Sequence, residues 1–295
     1  MKVLVFDIGG TYIKYALMDE NAKIYAKGRR PTPKAGREAF VDALTKIYDE
    51  HKEAEGIAIS MPGIIDNKRG YCVMGGALTY NNDFYLRDAL YKNCKTRIIM
   101  ENDAKCAAMA EAGLGALKDV SDGMVILLGT MIGGGLIHDH KLLRGKHFSA
   151  GEVSYIRTSE EPGPMRKEYW GNQCSAKELC RLYAERIGED PEQVGGQRVF
   201  DAYAKGSEEA KEALSIYAGN IARQLFNLQT IYDPEKIAIG GGISAQDALV
   251  DHIRKELDKL YASCPYVIPH AEVVRCTFGN EANLIGALQC FITEE

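Results

Sequence analysis

The sequence predicts an α/β protein with mixed sheets and helices on their faces, divided into two domains. Strand-like apolar runs alternate with amphipathic helical stretches along the whole chain. Three of these strands end in glycine-rich turns, at Gly9, Gly129 and Gly240. The chain has 295 residues, which is more than one domain of ordinary size usually contains.

The first element is a hairpin. An apolar run from Val3 to Ile8 is followed by Gly9-Gly10-Thr11 and by a second strand-like run from Tyr12 to Met18. Two glycines between strand patterns predict a tight turn. Glycine accepts positive φ and lets a ligand approach the backbone closely, so several N–H groups can converge on one anion. The turn is therefore a candidate phosphate site.

Asp7 lies where the first strand ends. A carboxylate beside a phosphate is useful only if a cation lies between them, which predicts Mg²⁺ near Asp7, held through water. An ordinary buried hairpin with a turn aspartate explains this stretch equally well. The repetition of the strand-to-glycine turn at 124–135 and 236–244 favours the phosphate site.

The next elements follow from hydrophobic periodicity and turn residues. Strands are expected at 23–27, 56–60 and 97–100, and helices at 36–53, 86–93 and 104–115. The stretch 64–82 is rich in glycine and polar residues and is expected to be mostly loop. Long loops on a rigid scaffold often carry ligand contacts.

Glu101-Asn102-Asp103 directly follows one predicted strand and precedes a predicted helix. Ligands of α/β sheets bind outside the carboxyl ends of strands. Asp is also a preferred N-cap residue, so capping this helix is an alternative role for Asp103. A helix N-terminus equally keeps a carboxylate ionised, which suits a base that accepts a hydroxyl proton.

A polar connector at 118–123 is the candidate domain boundary. Beyond it, strands are expected at 124–128, 236–240 and 267–276, the last an edge strand because it contains Pro269, and helices at 175–187, 208–231, 247–261 and 283–292. His138–Lys141 is interpreted as a hairpin tip rather than a metal site. The apolar stripes at 226–228 and in the final helix are compatible with either core or interface.

Composition excludes several classes of protein. Net charge is −5, which argues against a nucleic-acid-binding surface. No window approaches eighteen uncharged apolar residues and no signal peptide is visible, so we expect a cytoplasmic protein without a membrane span. The eight cysteines form no CxxC pair, which predicts mostly buried thiols and no structural zinc.

Four motifs in this order resemble the ROK family of sugar kinases, within the actin-like ATPase superfamily. They are Asp7-Ile-Gly-Gly-Thr11, Glu101-Asn-Asp103, Leu128-Gly-Thr-Met-Ile-Gly-Gly-Gly135 and Ile239-Gly-Gly-Gly-Ile-Ser244. The resemblance covers the whole chain. It implies a two-lobed actin-like ATPase (ribonuclease H-like) fold with a mixed sheet in each lobe and a central cleft. The N-terminal lobe would contain 1–118 plus a C-terminal helix at about 281–295, and the other lobe 119–280.

The resemblance also implies ATP and Mg²⁺ as cofactors, a sugar substrate and a homodimer. Asp103 would be the general base for a sugar hydroxyl. The sugar-binding residues would be Asn102, Glu152, Gly63, Asn82 and Tyr155. The nucleotide-binding residues would be Asp7, Gly9, Gly10, Thr11, Lys14, Gly129, Thr130, Gly133, Gly240, Gly241 and Gly242, the last three bordering adenosine.

One stretch departs from the family pattern. Many members continue Gly-Glu-x-Gly-His and then carry a cysteine-rich zinc loop, whereas here Gly151-Glu152 is followed by Val153-Ser154-Tyr155 and no cysteine loop. Tyr155 could line the sugar pocket or pack where other members hold the metal. The zinc-free branch includes β-glucoside kinases and some N-acetylmannosamine kinases. We therefore expect transfer to the 6-hydroxyl of glucose or a β-glucoside, with N-acetylmannosamine or another hexose derivative as the alternative.

Two classes without sugar-kinase activity compete with this interpretation. A sugar-responsive repressor of the ROK type would carry a helix-turn-helix domain ahead of the glycine hairpin, and the first strand already begins at Val3. An actin-like ATPase coupled to a protein partner would need the phosphate turns. It would not need Glu101-Asn102-Asp103 together with Gly151-Glu152.

Overall fold

The computed structural model of the protein describes residues 1–160, 168–243 and 246–294. The chain forms two compact units. Unit 1 comprises 1–118, 142–150 and 280–295, and unit 2 comprises 119–141 and 151–279. The segment 142–150 thus packs with unit 1, although it lies inside the range that the sequence assigns to the second lobe. Ser244, the last residue of the third glycine motif, lies outside the described residues.

In chain order, the described part of the chain begins with the strands and helices β1 (Lys2–Ile8), β2 (Tyr12–Asp19), β3 (Ile24–Pro31), α1 (Arg37–Asp49), β4 (Gly56–Met61), β5 (Ile64–Asp66), β6 (Tyr71–Met74), α2 (Leu86–Cys94), β7 (Arg97–Asn102) and α3 (Asp103–Leu114). It continues with β8 (Gly123–Leu128), β9 (Ile132–His138), β10 (Lys141–Leu142), α4 (Trp170–Gln173), α5 (Ala176–Ile187), α6 (Gly196–Ala204), α7 (Glu208–Tyr232), β11 (Lys236–Gly240), α8 (Asp247–Ser263), β12 (Glu272–Arg275) and α9 (Ala282–Thr293).

Unit 1 is built on a mixed sheet of order β3-β2-β1-β4-β7. The first three strands are antiparallel neighbours, and β1, β4 and β7 run parallel. Leu4, Phe6 and Ile8 point to one face, where they share a core with the buried sides of α1 and α2. Helix α9 packs against β1, β4 and β7 and also against α3. The predicted hairpin and the strands at 56–60 and 97–100 are confirmed.

The structure extends one predicted strand of unit 1 and adds a short hairpin to the stretch 64–82, which was predicted to be mostly loop. Strand β3 continues to Pro31 instead of ending at Lys27, because it pairs with β2 up to Tyr12. The stretch expected to be loop contains the antiparallel hairpin of β5 and β6, whose inner residues Ile65 and Cys72 are buried. These strands are too short to show a clear period-2 pattern in the sequence.

Unit 2 repeats the plan with a sheet of order β10-β9-β8-β11-β12. Strands β8 and β9 form an antiparallel hairpin, and β8, β11 and β12 are parallel. The predicted edge strand is confirmed in position, but it is shorter than expected and begins at Glu272, beyond Pro269. Helix α6 was not anticipated from the sequence.

The apolar stripes at 226–228 and in the final helix, for which the sequence allowed either core or interface, belong to the core. Leu228 lies in the core of unit 2, and the ring of Phe226 is 5.2 Å from that of Tyr261. Helix α9 is buried along most of its length. Cysteines 72, 94, 106, 174 and 290 are buried, as expected. None of the described helices combines the length and the apolar composition needed to cross a bilayer.

Candidate active site

Residues outside the glycine turn between β1 and β2 stabilise its conformation. Within the turn, the Gly9 N–H donates to the Tyr12 carbonyl at 2.9 Å. The residues after β3 then bind the other carbonyls: the Thr32 hydroxyl donates to Gly9 O at 2.7 Å, the Thr32 N–H donates to Thr11 O at 3.0 Å, and the Lys34 ammonium donates to Gly10 O. With its carbonyls occupied by protein donors, the turn is fixed before any ligand binds.

Asp7 is almost fully buried beside this turn, with 7% of its surface exposed. It lies opposite Lys14 in the sheet, and the Lys14 ammonium is 3.0 Å from one carboxylate oxygen. The Asn283 amide of α9 donates to the other oxygen at 3.0 Å. Among the described residues no cluster of three metal-ligating side chains exists, so Asp7 offers a metal ion one carboxylate. This suits Mg²⁺, which keeps several waters and binds substrate phosphates directly.

Asp103 and Asn102 divide the roles at the corner between β7 and α3. The N-cap is Asn102, whose side-chain oxygen accepts from the Lys105 N–H at 3.1 Å. Asp103 is the first helical residue, and its Oδ1 accepts from the Ala104 N–H at 2.8 Å. Asn102 therefore holds the N-cap position, while the Asp103 carboxylate accepts a second N–H of the first turn.

The Asn102 side chain also connects this corner with the loops around it. Its amide donates to the Gly63 carbonyl at 2.9 Å. Gly63 has φ +106°, and a Cβ there would lie 1.9 Å from the Met74 carbonyl oxygen and 2.8 Å from the Gly76 nitrogen. A Cβ at Gly10 would lie 3.5 Å from that of Ala77. Asn102, Gly63, the loop at 75–77 and the glycine turn thus form one continuous surface of unit 1.

Asn82 stabilises the loop that forms part of this surface. Its side-chain oxygen accepts from the Gly75 N–H at 2.8 Å, and its carbonyl accepts from the Arg37 guanidinium. The Asn82 side chain thereby fixes the loop that borders Gly63.

In unit 2, the second glycine turn joins β8 to β9. The Gly129 N–H donates to Met131 O at 3.1 Å, and the Gly129 carbonyl accepts from the Ala176 N–H at the start of α5 at 2.8 Å. Gly133 lies outside the turn, within β9 and opposite Leu127. The structure thus brings Gly129 and Thr130, but not Gly133, to the N-terminus of α5.

A cavity of about 470 Å³ opens beside this turn. Its lining includes Thr130, Asn172, Ser175, Ala176, Arg181 and Val194. Gly240, Gly241 and Gly242 are not among its lining residues. Side chains at Gly240 and Gly241 would collide with Leu127 and with the Leu128 backbone, and Gly241 has φ +93°, whereas a Cβ at Gly242 would meet open space. Close packing against β8 therefore explains why positions 240 and 241 are occupied by glycine.

Glu152 precedes a short helical turn formed by Val153–Tyr155. Gly151, with φ +84°, passes so close to β9 that a Cβ there would lie 2.9 Å from the Gly134 carbonyl oxygen. Ser154 is buried and donates its hydroxyl to the Ile132 carbonyl, while Tyr155 is 54% exposed. Tyr155 therefore does not pack in the interior, and Ser154 makes the interior contact of this turn.

Four residues of these surroundings were missed from the sequence: Thr32, Lys34, Asn283 and Arg144, whose guanidinium pairs with Glu101 at 2.6 Å. Thr32 and Lys34 follow a strand that was predicted four residues too short. Asn283 faces Asp7 only because α9 returns to unit 1. Arg144 lies in the segment 142–150, and nothing local in the sequence indicates that it joins unit 1.

Two α/β units of this kind, with glycine turns after β1 and β8, define the class of actin-like ATPases. The chain belongs to the ROK family, because the family model described as ROK family matches residues 3–294. These matches confirm the family and the fold class that the sequence predicts.

Individual relatives cover nearly the whole chain. A beta-glucoside kinase from Klebsiella pneumoniae is 31% identical over 294 residues, which is 99% of this chain and 96% of that one. A ROK family protein from Streptococcus pneumoniae, solved in complex with sucrose, has 28% identity and a TM-score of 0.89 over 99% and 98% of the two chains. A ROK family glucokinase from Streptomyces griseus, solved with glucose and AMPPNP, has 27% identity and a TM-score of 0.81 over 98% of each chain.

Proposed function

We infer that the protein is a sugar kinase that transfers the γ-phosphoryl group of ATP to the 6-hydroxyl of glucose or of a β-glucoside. The observation that carries this proposal is the continuous surface of unit 1. It joins Asp103, through Asn102 and Gly63, to the Gly9-Gly10-Thr11 turn. A hydroxyl-activating carboxylate and a phosphate-binding turn on one surface are what phosphoryl transfer to an alcohol requires.

Asp103 acts as the general base that accepts the proton of the attacking hydroxyl. Its place at the N-terminus of α3 favours the ionised carboxylate, which is the form that a base requires. We assign Asn102 and Glu152 to the binding of sugar hydroxyls, with Gly63, Asn82 and Tyr155 as further candidate contacts with the sugar. Tyr155 is exposed and takes the place of the family histidine, so it is a candidate contact for the aglycone of a β-glucoside.

We assign nucleotide binding to the two glycine turns: Gly9, Gly10 and Thr11 of unit 1, and Gly129 and Thr130 of unit 2. The N-terminus of α5 next to Gly129 provides a favourable potential for anionic phosphates. The cavity beside Thr130 has the size of a typical ligand pocket, about 300–1,000 Å³, and accommodates the adenosine part. This assignment places adenosine beside α5, and we retain only Gly242 of the third glycine turn as a candidate contact.

Asp7 would hold Mg²⁺ through water, and Lys14 would neutralise phosphate charge. When bound, the ion supplies positive charge to the phosphates as the γ-phosphoryl group is transferred. The protein's own task at this point is orientation. Asn283 and Lys14 fix the Asp7 carboxylate, and Thr32 fixes the turn beside it.

Replacing Thr32 with valine is expected to weaken ATP binding selectively. The substitution removes the hydroxyl that donates to Gly9 O while keeping the side-chain shape. One lost hydrogen bond corresponds to a rise in the KM for ATP of about 2- to 10-fold. The KM for the sugar should change less than twofold. Thr45→Val removes a comparable hydroxyl bond, to Val41 O at 2.9 Å on α1, and serves as the control. Equal KM values for ATP in the two variants would contradict the role of Thr32.

The decisive test of function is ADP release with Mg-ATP across a panel of sugars. The panel holds glucose, cellobiose, arbutin, N-acetylmannosamine, N-acetylglucosamine, mannose and fructose, and ³¹P NMR of the product identifies the phosphorylated hydroxyl. We expect the strongest response with glucose or a β-glucoside. A dominant response to N-acetylmannosamine would shift the substrate and keep the class. ATP hydrolysis that no sugar stimulates would favour an ATPase coupled to a protein partner.

We further propose that the protein forms a homodimer, as the family resemblance implies. Sedimentation equilibrium over a range of protein concentrations measures this directly. A single species with the mass of one chain at all concentrations would refute it.

A further inference from the structure

Arg144 connects two carboxylates next to the proposed sugar site. It lies in the segment 142–150, and its Nε donates to Glu101 Oε2 at 2.6 Å. Its Nη2 donates to the carboxylate of Glu294, which also accepts from the Asn67 amide at 3.0 Å. The Arg144 side chain is itself largely buried, with 21% of its surface exposed. All four residues belong to unit 1.

The buried carboxylate of Glu101 depends on its ion pair with Arg144. It is 1% exposed, and burial raises the pKa of its carboxyl, while the Arg144 guanidinium acts against that rise. A carboxylate withdrawn from water is tolerated only when it is paired and hydrogen-bonded. Its second oxygen, Oε1, accepts from the backbone N–H of Asn102 at 2.8 Å. Glu101 therefore links Arg144 to Asn102, the residue that caps α3 and binds Gly63.

Arg144 also fixes its own segment. Its carbonyl accepts from the Ala150 N–H at 3.1 Å, which closes the loop directly before Gly151 and Glu152. One residue thus contacts the backbone leading to Asp103 through Glu101, and the backbone leading to Glu152 through Ala150. These are the two stretches to which we assign the base and a sugar-hydroxyl ligand.

We propose that Arg144 is a positioning residue for the phosphoryl acceptor, holding the Asn102-Asp103 corner and the segment 142–150 of unit 1 in place. This inference rests on the proposed sugar-kinase function. Effective proton abstraction needs the base within hydrogen-bond reach of the hydroxyl, and a displacement of about 1 Å can lower the rate about 100-fold. The nucleotide turns have no direct bond to Arg144 among the described residues, so ATP binding should be spared.

The test compares Arg144→Gln, Arg144→Lys and the double variant Glu101→Gln/Arg144→Gln with the wild type. Activity is measured at a temperature at which circular dichroism shows every variant folded. For Arg144→Gln we expect kcat to fall about 10- to 100-fold and the sugar KM to rise, with the KM for ATP changed less than twofold. Lysine keeps a positive charge beside Glu101 and should restore part of kcat. The double variant removes the uncompensated buried carboxylate and should exceed Arg144→Gln in kcat/KM by about tenfold.

Arg186→Gln is the matched control. The Arg186 side chain has a similar exposed fraction, 22%, and pairs with the more exposed Glu212 at 3.3 Å within unit 2. Its loss should lower the melting temperature without changing kcat. The same behaviour in Arg144→Gln, a lower melting temperature with unchanged kcat and sugar KM, would overturn the proposal. If Arg144→Gln does not fold, wild-type values of kcat and sugar KM in both Arg144→Lys and the double variant would overturn the proposal.

The wild-type measurement separates the two levels of inference. A wild type that turns over no sugar refutes the sugar-kinase function, and the positioning role falls with it. A wild type that is active, beside an Arg144→Gln variant with the same kcat, refutes only the positioning role.

Discussion

Replacing Asp103 with asparagine is expected to lower kcat by about 10² to 10⁴-fold while leaving sugar binding nearly unchanged. Asparagine has the same size and can keep the contact to the Ala104 N–H, but its amide cannot accept the hydroxyl proton. The capping of α3 should not suffer, because Asn102 provides the cap. The loss should therefore appear in the chemical step and not in stability.

Three measurements on purified protein examine this expectation. Steady-state ADP release gives kcat, calorimetric titration with the preferred sugar gives its Kd, and thermal melting gives stability. Asp88→Asn is the control, because Asp88 also lies in the first turn of a helix of unit 1, α2, and its substitution removes the same charge. We expect near-normal kcat in Asp88→Asn. Turnover of Asp103→Asn within a few-fold of the wild type would show that another group accepts the proton.

The sequence was sufficient for the elements whose signal is local. The hairpin of β1 and β2 is specified by two apolar runs and the glycines between them, and β7 with α3 by an apolar run followed by polar and then alanine-rich residues. These features already place Asp103 at the end of a strand.

What the sequence did not show depends on contacts between distant residues. The partner of Asp7 on α9, Asn283, is 276 positions away along the chain. The division of roles between Asn102 and Asp103 is decided by backbone angles at the start of α3, and both residues are good caps in isolation. The family resemblance implies that Gly133 binds the nucleotide, and only the pairing register shows that it lies within β9 and not in the turn.

The segment 142–150 is the clearest example of this limit. Its local sequence gives no indication that Arg144 pairs with two carboxylates of unit 1, Glu101 and Glu294. A buried carboxylate pairs with a cation that is close in space but can be distant in the sequence. The identity of that partner therefore cannot be read from neighbouring residues.

Gly286→Ala is expected to cause a large loss of stability in unit 1. Gly286 lies inside α9, where this helix crosses α3, and a Cβ there would lie 1.7 Å from the Cys106 carbonyl oxygen. That oxygen is backbone within a helix and cannot turn aside as a side chain could. The two helices would have to separate, although α9 is also packed on β1, β4 and β7. Overpacking of this kind costs about 1–3 kcal/mol even after local adjustment.

Gly219→Ala is a control for which we expect stability to rise instead of fall. Gly219 lies inside α7, and apart from the helix's own backbone nothing would lie within 4 Å of an added Cβ. Alanine there should stabilise unit 2 by up to about 1 kcal/mol through its better helix propensity. The same propensity gain is available at Gly286, so the difference between the two variants isolates the cost of the contact with Cys106.

Two signals distinguish the units during urea unfolding. The single tryptophan, Trp170, is buried in unit 2, so its fluorescence reports that unit, while circular dichroism reports both. For Gly286→Ala we expect the dichroism midpoint to fall further than the fluorescence midpoint, and for Gly219→Ala we expect the fluorescence midpoint to rise. Because α9 also holds Asp7 through Asn283, Gly286→Ala should raise the KM for ATP at temperatures where it is still folded. Equal midpoints for Gly286→Ala and the wild type would mean that α3 and α9 can separate at negligible cost, which would contradict a rigid support for the Asp7 carboxylate.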